Sequence, residues 1–492
     1  MKKWQFKLRK PSPAIHSARQ WRVVQSAKPQ RRMRDHDAPI MSTAHQLHAH
    51  EPSRDAMSPC SGSLNKTMCT QDVEQTVQNC DWISTLPDDI LIKILSLLTV
   101  SDAAMTDCLS TRWRHLWKNV DCLIFDLYSL RMPESEICYY HQKPCLRKAQ
   151  VTKFVRKTNG FLRNHYGNRI KEFTIRFPLT SVNASELDHW IRFAASASTE
   201  KLCLDFYDKN RSSCLDIFPD EPYNFILSPF SNGRGCQLGE LTLSNCSLGT
   251  TPENLSGFAC LHFLKLSRVS LADAAVSNII SSCCALRSLI IEFCDQLFHL
   301  TITCSQLLNL NVEFCNDLSS VCIHADNLDK FAYKGHNVNI EYKYAPFLDI
   351  IRVYFTEMDE CPLDFISALP KLPKLETLIL QCPAPVQGFS KLKEQPNELN
   401  MTWPEDLTFA RLHIIVIKGF SGEPELMELL YFLLRRAPAL KSLQVETRAY
   451  EPFFVRKEKH KSEDQERCRY ATEMASTHLA PKVPSTVAFS IT

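Results

Sequence analysis

Cysteine and histidine are the residues of this 492-residue chain whose chemistry first needs an account, with 21 and 16 copies respectively. At tight spacing such side chains hold zinc or activate a nucleophile. The spacing here argues against both. "HQLHAH" (45–50) is followed by Cys60 and Cys69 at intervals that fit no tight zinc pattern. Cys283 and Cys284 are adjacent rather than spaced for a metal. There is no paired C-x-x-C, no HExxH, no GxSxG and no Walker-type loop. With 12 glycines, glycine-rich phosphate loops are disfavoured. The sequence predicts a chain with no catalytic residue, no metal and no cofactor. Its cysteines read as reduced thiols, mostly small apolar core residues, in the nucleus and/or cytoplasm. No signal peptide precedes them, and sequons such as Asn183-Ala-Ser185 are then chance matches.

Composition sets the frame for whatever positions those residues. The chain is 44% hydrophobic and 23% charged, which is ordinary globular chemistry. A net charge of +3 is too small for a nucleic-acid binder overall, and no nucleic-acid partner is expected. The positive charge crowds the start, from Lys2 to Arg34. Residues 1–80 lack apolar periodicity and read as a disordered basic and polar tail. Within it "KPQRRMR" (28–34) is either a solvated basic arm or a nuclear import signal, and Met33, Met41 and Met57 are alternative starts. No apolar run approaches the ~20 residues of a membrane-spanning helix, so no membrane partner is expected.

Residues 81–121 read as compact helices. Pro87 suits a first helical turn, and Asp88 and Asp89 complement the positive end of its dipole. Ile90, Leu91, Ile94, Leu95 and Leu98 follow at helical spacing, and Leu97 widens the stripe beyond one face. Ser101 is placed to cap a second helix. "LSTRWRHLW" (109–117) then sets Trp113 and Trp117 four residues apart on one face. About forty residues make a poor core unaided, which predicts a partner surface.

From about residue 165 the period changes to L-x-x-L-x-L. Units begin at Leu238, Leu261, Leu286, Leu307, Leu375 and Leu440, with weaker ones near Ile170 and Lys201. Cys246, Cys294 and Cys315 each lie eight residues after a first Leu, where leucine-rich repeats place Asn or Cys. Between Leu286 and Leu348 the unit starts step by 11, 10, 11, 10, 10 and 10. Two steps make one repeat of about 20–29 residues. Each such turn then has a strand on the concave side and a second on the convex side, with "LFHLTITC" and "LSSVCIHA" convex. "SLADAAVSNIISSCCAL" (270–286) predicts a helical convex side instead. "PELMELLYFLLRRAPALKSLQV" (424–445) reads as a helix and strand that cover the open end. "RKEKHKSEDQER" (456–467) reads as a charged surface segment, and "APKVPSTVAFSIT" as ending in a short strand.

"ISTLPDDILIKILSLLTVSDAAMTDCLSTRWRHLWKNV" resembles an F-box. Followed by such repeats, it is similar to the large plant F-box/leucine-rich-repeat group, and the C-terminal stretch resembles that group's FBD-like region. The expected architecture is an α/β solenoid. A tail (1–80) precedes a small helical F-box (81–121), an irregular leucine-rich-repeat horseshoe with strands partly on both faces (165–409), and an FBD-like helix-strand cap (410–492). The resemblance implies a non-catalytic substrate-recognition subunit of an SCF-type (Skp–cullin–F-box) ubiquitin ligase. Its partners would be a Skp-family adaptor, through that a cullin and a RING protein, and an unknown protein substrate. Carried onto this chain, the docking residues are Leu86, Pro87, Ile90, Leu91, Ile94, Leu95, Leu98, Leu109, Ser110, Trp113 and Trp117.

Within the repeats, residues between the leucines point out of the strand. Ser288, Ile290, Glu292 and Phe293 of one unit should lie beside Asn309, Asn311, Glu313 and Phe314 of the next. An acidic column (Glu292, Glu313) beside an aromatic one (Phe293, Phe314) is expected to take a basic-aromatic substrate segment; alternatively both Phe pack beneath the loops leaving the strands. Two other functions compete with the ligase reading: an adaptor-bound scaffold without a degradative role, and a nucleic-acid-associated protein that uses the basic arm.

Overall fold

The computed structural model describes residues 83, 85–132, 144–167, 169–207, 221–231, 237–249, 255–356, 363–382, 407–448 and 461–492. The tail, "KPQRRMR", "HQLHAH", Cys60 and Cys69 lie outside them. Pro87–Thr492 form one compact unit.

Among the described residues three short helices come first: α1 (Asp88–Ser96), α2 (Val100–Met105) and α3 (Trp113–Leu116). Thr99, not Ser101, caps α2, accepting from the Asp102 amide at 3.1 Å. Strand β1 (Cys122–Phe125) follows, then helix α4 (Pro144–Leu162). Next come β2 (Glu172–Arg176), α5 (Ala184–Ser196), β3 (Lys201–Asp205), β4 (Tyr223–Asn224), β5 (Glu240–Ser244), β6 (Cys246–Ser247), β7 (Phe263–Ser267) and α6 (Asp273–Ser282). A run of strands continues with β8 (Ser288–Glu292), β9 (His299–Thr303), β10 (Asn309–Glu313), β11 (Ser320–His324), β12 (Lys330–Gly335), β13 (Asn339–Tyr344) and β14 (Ile350–Phe355). The remainder is α7 (Leu363–Ala368), β15 (Thr377–Gln381), β16 (Ile414–Lys418), a helix at Pro424–Arg436, β17 (Ser442–Glu446), a helix at Lys461–Met474 and β18 (Ala488–Ile491).

Among the described residues thirteen strands form one parallel sheet, ordered β1-β2-β3-β5-β7-β8-β10-β12-β14-β15-β16-β17-β18. This is the expected α/β solenoid. The L-x-L core of each strand points inward, as with Leu289 and Ile291 or Leu310 and Val312, all buried. Strands β9, β11 and β13 form the second, convex sheet where the ten-residue step predicts it. Cys246, Cys294 and Cys315 are buried and free, and the Cys294 thiol lies 3.5 Å from the Glu292 carbonyl. Just after four consecutive sheet strands, Asn245, Arg268, Phe293 and Phe314 take left-handed φ values of 58°, 53°, 54° and 53°. Such a backbone is strained for a residue with a side chain. It is held because each amide still donates to the neighbouring strand's carbonyl, Arg268 to Glu292 and Phe293 to Glu313, both at 2.8 Å.

Two elements differ from the sequence reading. The sheet begins at β1 rather than near residue 165, because "CLIF" is too short to show a period and declares itself only by pairing Cys122–Phe125 with Glu172–Ile175. The charged stretch after Arg456 enters the Lys461–Met474 helix. Its buried side is Arg467 and Ala471, with Ala475 and Leu479 beyond its end, each four residues apart, so one residue of the charged stretch is itself buried and the apolar ones lie downstream of it.

The helical start is fastened to the sheet through one histidine. His165, just after α4, has Nε2 2.8 Å from the Val120 carbonyl, while its Nδ1 accepts from the Gly167 amide at 3.0 Å. Only the neutral ring with the proton on Nε2 satisfies both. Burial pushes its pKa below the ordinary 6.5, partly opposed by the Val120 hydrogen bond. Trp117 packs against Phe161 of α4 with ring centres 5.1 Å apart, and Phe161 in turn meets Phe125 of β1.

Two outcomes follow from this packing. Below pH 6.5 the unfolded His165 takes up a proton that the folded ring resists, so its contribution to stability is complete above that pH and is lost as pH falls through it. Denaturation midpoints should therefore drop between about pH 7.5 and about pH 5.5, by less in His165→Asn. Alkylation mapped by mass spectrometry should modify exposed Cys108, Cys260 and Cys284 first. Cys246, whose thiol burial pushes up to about 12, and buried Cys294 and Cys315 should react only after denaturation.

Candidate interaction surfaces

Helix α1 and the turn that ends it carry two apolar stripes one residue out of phase. Leu91, Leu95 and Leu98 form the inner one, all buried. Ile90, Ile94 and Leu97 form the outer one, exposed by 36%, 37% and 55%. Residues i, i+4 and i+7 share a helix face, so two such sets offset by one position diverge by roughly 100°. The inner stripe completes the helical core; the outer one meets solvent. Met105 and Leu109 are also large, apolar and exposed. The Arg112 guanidinium reaches back to Asp88, Nε to Oδ1 at 2.8 Å, which ties the Leu109–Ser110 turn to the start of α1.

The eleven docking residues read from the sequence therefore divide. Pro87, Ile90, Ile94, Leu109 and Ser110 are exposed and Leu86 is half-buried. Leu91, Leu95, Leu98, Trp113 and Trp117 are buried within the chain itself. The reason is packing demand. A three-helix start this small needs its largest side chains inside, and Trp117 is further used against Phe161. Leu97 and Met105 were missed as surface residues, although Leu97 had already stood out as the residue that broke the single stripe.

The second surface is the concave face of the large sheet. Glu292 and Glu313 stand side by side in register, as do Ile290 and Asn311. Phe293 and Phe314 stack with centres 5.2 Å apart and planes 18° from parallel. Arg268 extends this ladder, its guanidinium 4.2 Å from the ring centres of both Tyr207 and Phe293. The aromatic column is thus half-buried in its own stack. The acidic column is not open to a basic ligand. Lys265 on β7 meets Glu292 at 2.8 Å, and Lys334 on β12 meets Glu313 at 3.1 Å, with Asn311 Nδ2 donating to Glu313 at 2.9 Å. These lysines come from neighbouring repeats 27 and 21 positions away, beyond the window of any local pattern.

Among the described residues no group of three or more His, Cys, Asp or Glu is placed to hold a metal ion. No described helix is long and apolar enough to cross a membrane. What the geometry offers is surface: an apolar helical face and a long parallel sheet.

A helical domain with an unpartnered apolar stripe, joined to a parallel solenoid with L-x-L strands, defines an F-box protein with leucine-rich repeats. Residues 161–353 and 346–492 match the At1g61320/AtMIF1 leucine-rich-repeat domain family, to which the chain belongs, and residues 83–125 match the F-box domain. The F-box match runs through β1, so the domain's end is the sheet's beginning. Among relatives from Arabidopsis thaliana, the putative F-box protein At1g49610 is 30% identical over 232 residues, 47% of this chain and 49% of that protein. The chain thus matches about half the length of that relative. The F-box/FBD/LRR-repeat protein At1g13570 is 24% identical over 390 residues, 77% of this chain and 79% of its own. The F-box/FBD/LRR-repeat protein At3g52680 is 27% identical over 384 residues, 76% and 73% respectively.

Stability measurements separate the two stripes. Trp113→Ala should cost about 3–5 kcal/mol in chemical denaturation, as core aromatic truncations do. Leu97→Ala should stay within about 0.5 kcal/mol of the parent, as exposed positions do. Equal costs would refute the division.

Proposed function

We propose that this chain is the substrate-recognition subunit of an SCF-type ubiquitin ligase, acting in the nucleus and/or cytoplasm. Its F-box docks a Skp-family adaptor, and through that a cullin and a RING protein. The concave face holds the target protein. The chain itself supplies no reacting group; its contribution is to hold the target near a ubiquitin-loaded enzyme, where proximity raises the effective concentration of a lysine.

One observation carries this reading: α1 keeps Ile90, Ile94 and Leu97 in water although its inner stripe already completes the core. Exposed aliphatic residues aligned on one helix face mark a protein interface better than single exposed residues do. The F-box match over 83–125 supports the adaptor as the occupant. The free thiols of buried Cys246, Cys294 and Cys315 accord with a reducing compartment.

Ile94→Asp with Leu97→Asp should abolish capture of a purified Skp-family adaptor, a loss of at least about thirtyfold for anchors worth about 2 kcal/mol. The melting temperature should stay near that of the parent. Undiminished capture would overturn the docking face. Target half-life with and without residues 81–121 then separates a degradative receptor from an adaptor-bound scaffold, which would leave half-life unchanged.

A further inference from the structure

Strands β7 to β17 turn eight charged side chains to the concave face, and seven of them have an ion-pair partner. Lys265 meets Glu292, Lys334 meets Glu313, Lys418 meets Glu446 at 2.9 Å, and Lys330 lies 3.2 Å from Asp329. Arg352 on β14 is the exception. It is exposed and has neither a hydrogen bond nor an ion pair among the described residues.

Its neighbours are apolar. Ala332 flanks it on one side and Ile379 on the other, in register. Ile350 precedes it by two residues on the same face of the strand. Ile414 lies two strands over in the row of Ile350, and Val416 lies in the row of Ile379. Ile414 is 37% exposed, while Ile350 and Ile379 are partly so. A partner that covered these isoleucines would also take the guanidinium out of water. An uncompensated buried charge is costly, so a favourable partner brings an anion to it. Guanidinium and carboxylate match in a planar, two-bond geometry. A phosphate dianion is less suited, because Lys330 and Lys334, the nearest cations on β12, already hold Asp329 and Glu313.

We propose that Arg352, Ile350, Ile379 and Ile414 form a binding site for an extended protein segment with one Asp or Glu beside aliphatic residues. The inference rests on the concave face being the partner surface and names the chemistry it selects. Adjacent strands lie about 4.8 Å apart, so the isoleucine floor runs about 10 Å to one side of Arg352. An extended chain rises about 3.3 Å per residue, which puts the aliphatic anchors within about three residues of the acid, on one side of it.

The test is selection of a phage-displayed random peptide library on the purified full chain, followed by fluorescence anisotropy of enriched peptides. Enriched peptides should carry Asp or Glu with aliphatic residues to one side. Their affinity should fall about ten- to a hundredfold for Arg352→Ala, further for Arg352→Glu, and less for Arg352→Lys. Unchanged thermal melts should accompany all three, since the side chain is exposed. The site is overturned if no peptide is enriched, if enriched peptides lack an acid, or if their binding ignores Arg352. Tighter binding when phosphoserine replaces the acid would overturn the carboxylate assignment. No adaptor is present in the assay, so failure of the ligase reading leaves these outcomes intact. Retained adaptor capture by Arg352→Glu confirms that the two surfaces are independent.

Discussion

A strand in a parallel solenoid must pass its backbone hydrogen bonds to the next repeat, and the rest of this molecule follows from that requirement. Once Leu289 pairs with Leu310 and Leu310 with Phe331, every residue between them is in register too. Inward positions become continuous rows of Leu, Ile and Val. Outward positions become columns that cross repeats. The left-handed residues after four of the strands obey the same rule. Arg268, Phe293 and Phe314 accept backbone strain because their amides prolong the ladder by one bond. Their side chains then stack in the order of the strands beneath them.

The same ladder includes the F-box. Strand β1 is the last piece of the F-box match and the first strand of the sheet, and Lys171 donates to the Asp121 carbonyl at 2.8 Å across the junction. Neutral His165 and the Trp117–Phe161 contact fill the corner between them. A joint made of paired backbone and buried rings has little freedom to hinge. The outer stripe of α1 and the concave floor therefore belong to one compact unit. Under the proposed function, in which the chain contributes position, that continuity matters more than any single side chain.

What was legible in the sequence was whatever repeats within about a dozen residues. The Leu spacing disclosed the strands, the ten-residue step disclosed the convex sheet of β9, β11 and β13, and the Cys positions disclosed the turns. Strand β1 was hidden because four residues hold no period. Core and surface stripes of α1 were merged because one helix with apolar residues on two faces looks like one wide stripe; only packing against α2, α3 and the turn at Trp117–Asn119 separates them. The partners of the concave charges were hidden for a related reason. Glu292 beside Glu313 follows from register, but Lys265 and Lys334 reach them from neighbouring repeats through side-chain rotamers that no periodicity reveals.

That lateral pairing also decides which part of the sheet is receptive. Where sheet strands recur every 21, 21 and 20 residues, from Ser288 through Asn309 and Lys330 to Ile350, cations and carboxylates on the central strands find each other across one spacing. Each such pair, partly exposed, contributes little to stability. It nevertheless closes the surface, because a basic ligand would have to displace Lys265 or Lys334 to reach a glutamate. After β14 the step lengthens to 27 residues at Thr377 and 37 at Ile414, and β15 and β16 bring Ile379 and Val416 to the row of Arg352 instead of an acid. The guanidinium is left with apolar neighbours and water. A carboxylate arriving there displaces only solvent, so the open charge of the face lies at the edge of its apolar floor.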